Sequence, residues 1–335
     1  MPDGDAIVAS WGTDWRAALP VRSSTELAAL YAEARRAVTV LQESARTDGR
    51  VGQALHRKGI FESAHAGLEI SAAVPEILQI GPFTPGAVWP VSVRFSSSFA
   101  LAQSDEVPDQ RGLGVRLGDG ERRVDLLATT GEAHHARDAR AMLASLGATA
   151  TAARGGVVGR IGAAVVLVRA LGVRDGLRMV RTVLNAAQAG VSLAALPFYS
   201  RAPFQLGPFA VRYRFSPSGG VHAGVRGTGP DALALDLRQR LDEKPLSWSF
   251  DLQGYLDPHS TPMDDHRVAW RSAWLPVASL SLRGPDPSPT SLALSATPSW
   301  SGASGAVLEP LGDLNLLRAV AYEVSQAGRS LTSRS

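Results

Sequence analysis

The chain contains no cysteine among its 335 residues. Disulfide frameworks, iron–sulfur clusters, cysteine-type zinc sites and any metal ligation by a thiolate are therefore excluded. An excess of charge is also lacking, because 34 basic residues nearly balance 31 acidic ones and leave a formal net charge of +3. No dense run of lysine and arginine occurs. We therefore expect no nucleic acid partner.

Long apolar runs are lacking as well. In the apolar stretch 155–173, Arg160 and Arg169 interrupt the pattern, and the longest uncharged run extends only from Ile161 to Val168, short of the ~20 residues that a membrane span needs. We expect a core or lid helix here. The alternative is a helix that lies on a membrane surface. The N-terminus has no basic segment followed by an apolar run, so we expect a cytoplasmic protein.

Local patterns predict an N-terminal helix followed mainly by strands. Ser23 to Glu26 fits a capping box, and apolar residues then recur at helical spacing to about Arg46. Alternating or β-rich runs predict strands, residues 138–195 predict several helices, and a tract rich in serine, proline and glycine predicts an extended connection. The strands are expected at 88–96, 123–129, 209–215 and 246–253, and the connection at 283–304.

A C-terminal helix would direct Arg318, Tyr322 and Arg329 to one side. The second and third residues lie four and eleven positions after the first, and at 100° per residue both offsets return close to the same direction. An arginine one turn from a tyrosine favours its phenolate, and a phenolate is a competent axial ligand of ferric haem. Arg329 would then pair with a haem propionate. The alternative is an amphipathic helix with a half-buried tyrosine.

Five further segments, in the same order along the chain, resemble those of haem catalases. They are Ala-Leu-His-Arg-Lys-Gly at 54–59, Val-Ser-Val-Arg-Phe-Ser at 91–96, Asp-Gln-Arg-Gly-Leu-Gly-Val-Arg at 109–116, Asp-Leu-Leu…Arg-Asp at 125–138, and Thr-Pro-Met-Asp-Asp…Trp at 261–270. With Arg-x-x-x-Tyr last, the chain is similar to members of the haem-dependent catalase-like superfamily, in its branch of small catalase-related peroxidases.

The resemblance implies an α+β fold. Its centre would be an antiparallel eight-stranded β-barrel with inserted and flanking helices, without the C-terminal helical domain of full-length catalases. Residues 1–335 would form one haem domain. We expect a helical arm at 1–46, a wrapping segment at 283–310 and a proximal haem helix at 311–330.

The resemblance also implies the site. His56 would lie above the iron of haem b and transfer a proton during peroxide cleavage, while Ser96 supports it and Arg94 pairs with a propionate. Alternation along a strand places Arg94 and Ser96 on one face. Tyr322 would be the iron ligand, kept ionised by Arg318. Thr130 would act in catalysis in place of the family's distal asparagine.

Other departures from the family pattern affect the site. Gln53 replaces an arginine that pairs with a propionate, and His134 and His135 replace an aromatic pair. Adjacent histidines on a strand face opposite ways, so we expect a surface role for them, with a pocket or metal-binding role as the alternative. Together with Thr130, these changes put fast hydrogen peroxide dismutation in doubt more than haem binding.

Three functions are compatible with these residues. The first is a haem peroxidase that cleaves hydrogen peroxide or organic hydroperoxides and oxidises a small-molecule electron donor. The second is another haem enzyme of the same fold: a catalase proper, a hydroperoxide isomerase or dehydratase of the allene oxide synthase type, or another haem biosynthetic enzyme. The allene oxide synthase branch has threonine at the position of Leu55, which counts against that alternative. The third is a non-enzymatic haem carrier. We also expect a homodimer.

Overall fold

The computed structural model describes residues 3–43, 54–99, 102–118, 120–152, 156–284, 294 and 307–332. These contain six α-helices: α1 Gly4–Ala9, α2 Ser24–Glu43, α3 Ala139–Ala152, α4 Gly156–Ala186, α5 Ala232–Glu243 and α6 Gly312–Thr332. They also contain ten strands: β1 Gly59–Ile70, β2 Val88–Ser97, β3 Arg111–Leu117, β4 Val124–Thr129, β5 Phe198–Tyr199, β6 Phe204–Leu206, β7 Phe209–Pro217, β8 Leu246–Gly254, β9 Leu275–Leu282 and β10 Val307–Pro310.

Eight of the strands form a closed antiparallel barrel. The order of neighbours is β7, β5, β4, β3, β2, β1, β9 and β8, and the pairing of β8 with β7 closes the ring. Strands β6 and β10 extend from β7 outside this ring. Closure leaves no unpaired edge within the ring. The predicted eight-stranded α+β architecture is therefore confirmed.

Alternating side chains explain the barrel interior. In β8, Leu246, Trp248, Phe250 and Leu252 are all buried in the main apolar core, as their spacing predicts. The inward side chains of β2, β3 and β4 join the same core. They are Val91, Val93, Phe95, Leu113, Val115, Leu117, Val124, Leu126 and Ala128. The alternate residues of these three strands consequently face away from the barrel interior.

A second apolar core packs helices α2, α3, α4 and α6 against one another. Helix α2 begins with the predicted capping box, in which the Glu26 amide donates to Ser23 Oγ at 3.2 Å and the Ser23 amide donates to Glu26 Oε2 at 3.1 Å. Its buried side chains pack with α3 and α6. The predicted end of this helix, near Arg46, lies outside the described residues.

Helix α4 is long and bent. At Gly172 the backbone leaves helical geometry, with φ 79° and ψ 165°, which only glycine adopts without strain. No helix in the described part of the chain is long and apolar enough to cross a membrane. Most of the predicted wrapping segment 283–310 lies outside the described residues, apart from 283–284, Leu294 and β10.

Candidate active site

The candidate site lies on the face of β2, β3 and β4 that points away from the barrel interior. Antiparallel register places residues of the three strands side by side in rows. One row contains Ser96, Gly112 and Thr129, and the next contains Arg94, Gly114 and Leu127. Strand β3 therefore contributes no side chain to either row, and the polar side chains come from its neighbours.

His56 lies beside the first row. Its backbone is in the left-handed region, with φ 55°, and several hydrogen bonds hold it there. Its amide donates to the Ser98 carbonyl at 3.1 Å, and its carbonyl accepts from Arg94 Nη2 at 3.0 Å. The ring Nδ1 shares a hydrogen bond with Ser96 Oγ at 3.0 Å. Such a conformation persists only where the surroundings over-determine it.

Arg94 and Ser96 thus act together on His56, from the shared face that strand alternation predicts. Arg94 Nε also pairs with Glu62 Oε1 at 2.9 Å, and Arg94 itself is buried. Its contacts therefore include a carboxylate of β1 as well as the backbone of His56. The predicted contact of Arg94 with a propionate stays a prediction.

The His56 ring is neutral at physiological pH. Burial, helped by the positive charges of Arg94, Arg318 and Arg201, lowers the pKa of His56 to about 3. The side chain nevertheless keeps some accessible surface. In the tautomer whose Nδ1 donates to Ser96 Oγ, the other ring nitrogen carries no proton and can accept one.

Helix α6 supplies the opposite side of the site. Arg318 Nη1 donates to the Ser200 carbonyl at 3.2 Å and to Asn315 Oδ1 at 3.3 Å. Asn315 is itself fixed by donating to the Pro203 carbonyl at 2.8 Å. The loop before β6 and the first turns of α6 therefore hold the Arg318 side chain in place. Tyr322 follows one turn later.

The outer face of β3 carries no side chain at Gly112 and Gly114, and we call the strip between these glycines and Tyr322 the slot. A Cβ at Gly112 would lie 2.8 Å from the His56 ring, and a Cβ at Gly114 would overlap the Leu294 side chain. Leu294 is buried and packs in one apolar cluster with Tyr322. Along the outer face of β3, His56 therefore lies beside Gly112, and Leu294 lies between Gly114 and the cluster that contains Tyr322.

Arg201 is a site residue that the sequence did not reveal. It is buried, and its backbone has φ 62°. Its guanidinium donates to the Ala133 carbonyl at 3.1 Å, Gln110 Oε1 at 3.0 Å and Thr129 Oγ1 at 3.2 Å, and it contacts His135 Nδ1 at 3.4 Å. Burial and the nearby Arg318 lower the pKa of Arg201 to about 9.

The surface role predicted for His134 and His135 is wrong. His134 is buried, the two rings stack with centroids 4.3 Å apart, and His135 Nε2 shares a hydrogen bond with Ser145 Oγ at 3.0 Å. The prediction assumed a strand, in which neighbouring side chains point oppositely. The chain is irregular here, so both rings turn into the protein. Among the described residues, no group of three or more His, Asp or Glu side chains could hold a metal ion.

Thr130 is buried and lies just after β4. Its hydroxyl accepts from the Arg111 amide at 3.1 Å and lies 3.5 Å from the Ala186 carbonyl at the end of α4. These contacts tie Thr130 to the backbone at the edge of the site. Its catalytic role stays a prediction. Gln53 and the side chain of Arg329 lie outside the described residues.

Two features of this structure fit a planar, negatively charged cofactor between His56 and Tyr322. The glycines of β3 provide a wall without side chains. Arg201 is buried and Arg318 half-buried, and neither forms an ion pair within the described part of the chain. A buried cation without a counter-ion is costly, so an anionic ligand is expected. Such a ligand in the slot would displace the Leu294 side chain.

Comparisons with known proteins identify the fold. No family model matches the sequence, and no curated protein matches it. Among solved structures, a bacterial catalase is similar with a TM-score of 0.62 and 17% identity. A fungal catalase gives 0.60 and 15%, and catalase A from Saccharomyces cerevisiae gives 0.56 and 12%. Each similarity covers 84% of this chain.

The matched region is only part of each catalase. It covers 58% of the bacterial chain, 59% of the fungal chain and 61% of the yeast chain, so this chain spans less than two thirds of their length. At these identities the comparison shows architecture, and the closed barrel and six helices agree with it. The chain therefore has a catalase-like fold over 84% of its length.

Proposed function

We propose that this protein is a haem-dependent peroxidase that cleaves hydrogen peroxide or organic hydroperoxides. The observation that carries the proposal is the arrangement of His56, bound by Ser96, and Tyr322, preceded by Arg318, at two ends of a slot walled by Gly112 and Gly114. A barrel wall without side chains is suited to a flat ligand.

Tyr322 would bind the iron of haem b through its phenolate, and Arg318 would favour that ionised form by its charge. Arg94, Arg201 and Arg329 are the candidate partners of the haem carboxylates. When bound, haem would supply a redox-active iron at which a peroxide O–O bond can be broken.

His56 would move the proton. Its neutral ring would take a proton from one peroxide oxygen and return it to the other, which would leave as water or an alcohol. The hydrogen bond to Ser96 and the backbone bonds to Arg94 and Ser98 fix the ring orientation during both steps. A small-molecule donor would then return two electrons to the site.

A catalase proper is the second candidate, favoured by the similarity to three solved catalases. The position of Thr130 favours the peroxidase, because the hydroxyl is tied to the Arg111 amide and has less reach than the amide of the family's asparagine. The site would therefore bind the second hydrogen peroxide that dismutation needs less well. It would also leave more room for a bulky hydroperoxide.

The test is reconstitution with haem, followed by parallel measurements of oxygen evolution and donor oxidation with hydrogen peroxide and with cumene hydroperoxide. We expect donor oxidation to dominate with both substrates, and His56→Ala to lower it by ~10²–10⁴-fold without loss of haem. Failure to bind haem would overturn the proposal. Oxygen evolution at a catalase-like rate would favour the second candidate.

Thr130→Asn separates the two candidates further. We expect this change to raise the ratio of oxygen evolution to donor oxidation at constant haem content. An unchanged ratio would mean that another part of the site decides between the two reactions.

A further inference from the structure

The second half of α4 has an exposed apolar stripe. Val173, Leu177 and Leu184 have exposed fractions of 63%, 57% and 67%. They lie four and eleven residues apart, which places them within about 40° of one another around the helix axis. Three large apolar side chains on one face of a helix, all open to solvent, mark a contact surface.

The first half of the same helix repeats the pattern. Val158, Ile161 and Val165 are spaced three and four residues apart, and their exposed fractions are 84%, 60% and 45%. This spacing also defines a single face. The kink at Gly172 separates the two halves, so each half presents its own apolar stripe.

Arginine side chains flank the second stripe. Arg174, Arg178 and Arg181 are exposed, and helical geometry places them roughly 80° to 140° from Val173 around the axis. Within the described part of the chain none of them forms an ion pair. The helix contains five arginines and a single acidic residue, Asp175, which pairs with Arg267 at 3.0 Å. The exposed face is therefore both apolar and positively charged.

The other side of α4 is fixed to the protein. Leu167 and Met179 are buried and belong to the apolar core that α3 and α6 share. A Cβ at Gly176 would lie 3.0 Å from the backbone of Val168, so the two halves are close together at the bend. The helix is thus anchored by one face while the apolar and basic face remains outside.

We propose that this face of α4, defined by Val173, Arg174, Leu177, Arg178, Arg181 and Leu184, docks on an anionic lipid bilayer surface. Apolar side chains enter the boundary of the headgroups and acyl chains, while arginines bind lipid phosphates. Charge complementarity selects this occupant: a bilayer with negative headgroups satisfies the unpaired arginines and the apolar stripe at once, whereas a second copy of the chain would bring like charges together.

The position of the helix has a consequence for substrates, which rests on the proposed function. The Ala186 carbonyl, at the end of α4, lies 3.5 Å from Thr130 Oγ1 at the edge of the candidate site. A protein docked through this helix holds that edge near the bilayer. The substrate class would then be hydroperoxides of membrane lipids.

The test of docking needs no cofactor. The full chain is sedimented with vesicles of phosphatidylcholine alone and with vesicles that also contain phosphatidylglycerol. We expect binding only to the anionic vesicles, weakening as salt is raised, because surface attraction is screened. Equal binding to both vesicle types, or no binding to either at low salt, would overturn the proposal.

Variants identify the surface. Replacing Arg174, Arg178 and Arg181 together by Gln should weaken binding to anionic vesicles about 100-fold, given the usual contribution of each basic residue. Leu177→Ser with Leu184→Ser should weaken it about 10-fold or more through lost apolar burial. Controls on α5 are Leu235→Ser, 50% exposed, and Arg238→Gln, also exposed; both should bind as the unchanged protein does.

Two outcomes point to another surface or occupant. If the α4 variants bind vesicles as tightly as the α5 controls, the membrane surface lies elsewhere and the proposal fails. If the chain ignores vesicles but is a dimer that the Leu177 and Leu184 changes dissociate, a second copy covers this face and the proposal also fails. A docking failure leaves haem binding and peroxide cleavage unaffected, so it is distinguishable from failure of the proposed function.

Discussion

The hydroxyl of Ser96 lies 3.0 Å from Nδ1 of His56. The contact restrains the orientation of the imidazole, and the tautomer whose Nδ1 donates to Ser96 leaves the other nitrogen able to take a proton. The pair links β2 to the irregular segment before β1, and both residues are otherwise fixed by backbone hydrogen bonds. In the proposed reaction Ser96 would act through His56, as a positioning residue.

We expect Ser96→Ala to keep haem binding and to lower kcat for peroxide cleavage about 10-fold, with little change in KM. The imidazole would lose its partner and rotate more freely, so proton transfer would slow. Steady-state kinetics of the haem-loaded protein measure this, and Ser92→Ala on the same face of β2 is the control. A higher KM with unchanged kcat would contradict a positioning role.

Tyr322→Phe removes the phenolate while it preserves packing against Leu294 and Ala319. We expect the variant to lose stable high-spin ferric haem, because the remaining ring offers no anionic ligand. Arg318→Ala should weaken haem binding less severely. Absorption spectra after reconstitution provide the measurement, and Tyr31→Phe on α2 serves as the control. A normal haem spectrum in Tyr322→Phe would show that iron is bound elsewhere.

Gly114→Ala should destabilise the cofactor-free chain by about 1–3 kcal/mol, the usual effect of overfilling a packed site. A Cβ there meets the Leu294 side chain, so most of this loss should vanish in a Leu294→Ala background. Denaturant unfolding of the four proteins in this double-mutant cycle gives the coupling energy. Gly67→Ala is the control, since its nearest contact would lie at an ordinary 3.5 Å. Additive losses would place Leu294 outside the slot.

Acid should destabilise the protein through its buried histidines. His266 is 1% exposed and its Nδ1 has no partner among the described residues; burial, then the charges of Arg212 and Arg318, lower its pKa to about 3. In the unfolded chain this histidine binds a proton near pH 6.5. Its neutral, buried form therefore costs no unfolding free energy above that pH, and the free energy of unfolding decreases as the pH falls from 6.5 toward 3.

We therefore expect His266→Gln to reduce the loss of unfolding free energy between pH 7 and pH 5 by about 1–2 kcal/mol. Urea unfolding at the two pH values provides the measurement. His65→Gln, a change at an exposed position on β1, is the control variant. A steeper loss in the His266 variant would reverse the sign and contradict the assignment.

Much of the fold was predictable because its signals are local. The capping box at Ser23 and Glu26, the alternation in β8 and the Arg-x-x-x-Tyr spacing in α6 each depend on residues a few positions apart. The shared face of Arg94 and Ser96 follows from the same strand period. The structure confirms each of these elements, whereas the role of Tyr322 as an iron ligand stays a prediction.

The remaining site residues depend on contacts between distant segments. Arg201 contacts Gln110 and Thr129, which are 91 and 72 positions away, and nothing in its short loop marks it as a buried cation. The stacking of His134 and His135 depends on an irregular backbone that their neighbours in sequence do not specify.

The two faces of β3 contact different parts of the protein. Leu113, Val115 and Leu117 point into the barrel and stabilise it, whereas Gly112 and Gly114 point to the slot and add no side chain to either region. The candidate site residues are thus attached to the outside of a barrel whose interior does not depend on them. Changes at His56, Thr130 or Arg201 can alter the chemistry while the barrel persists, so one scaffold can host a succession of activities.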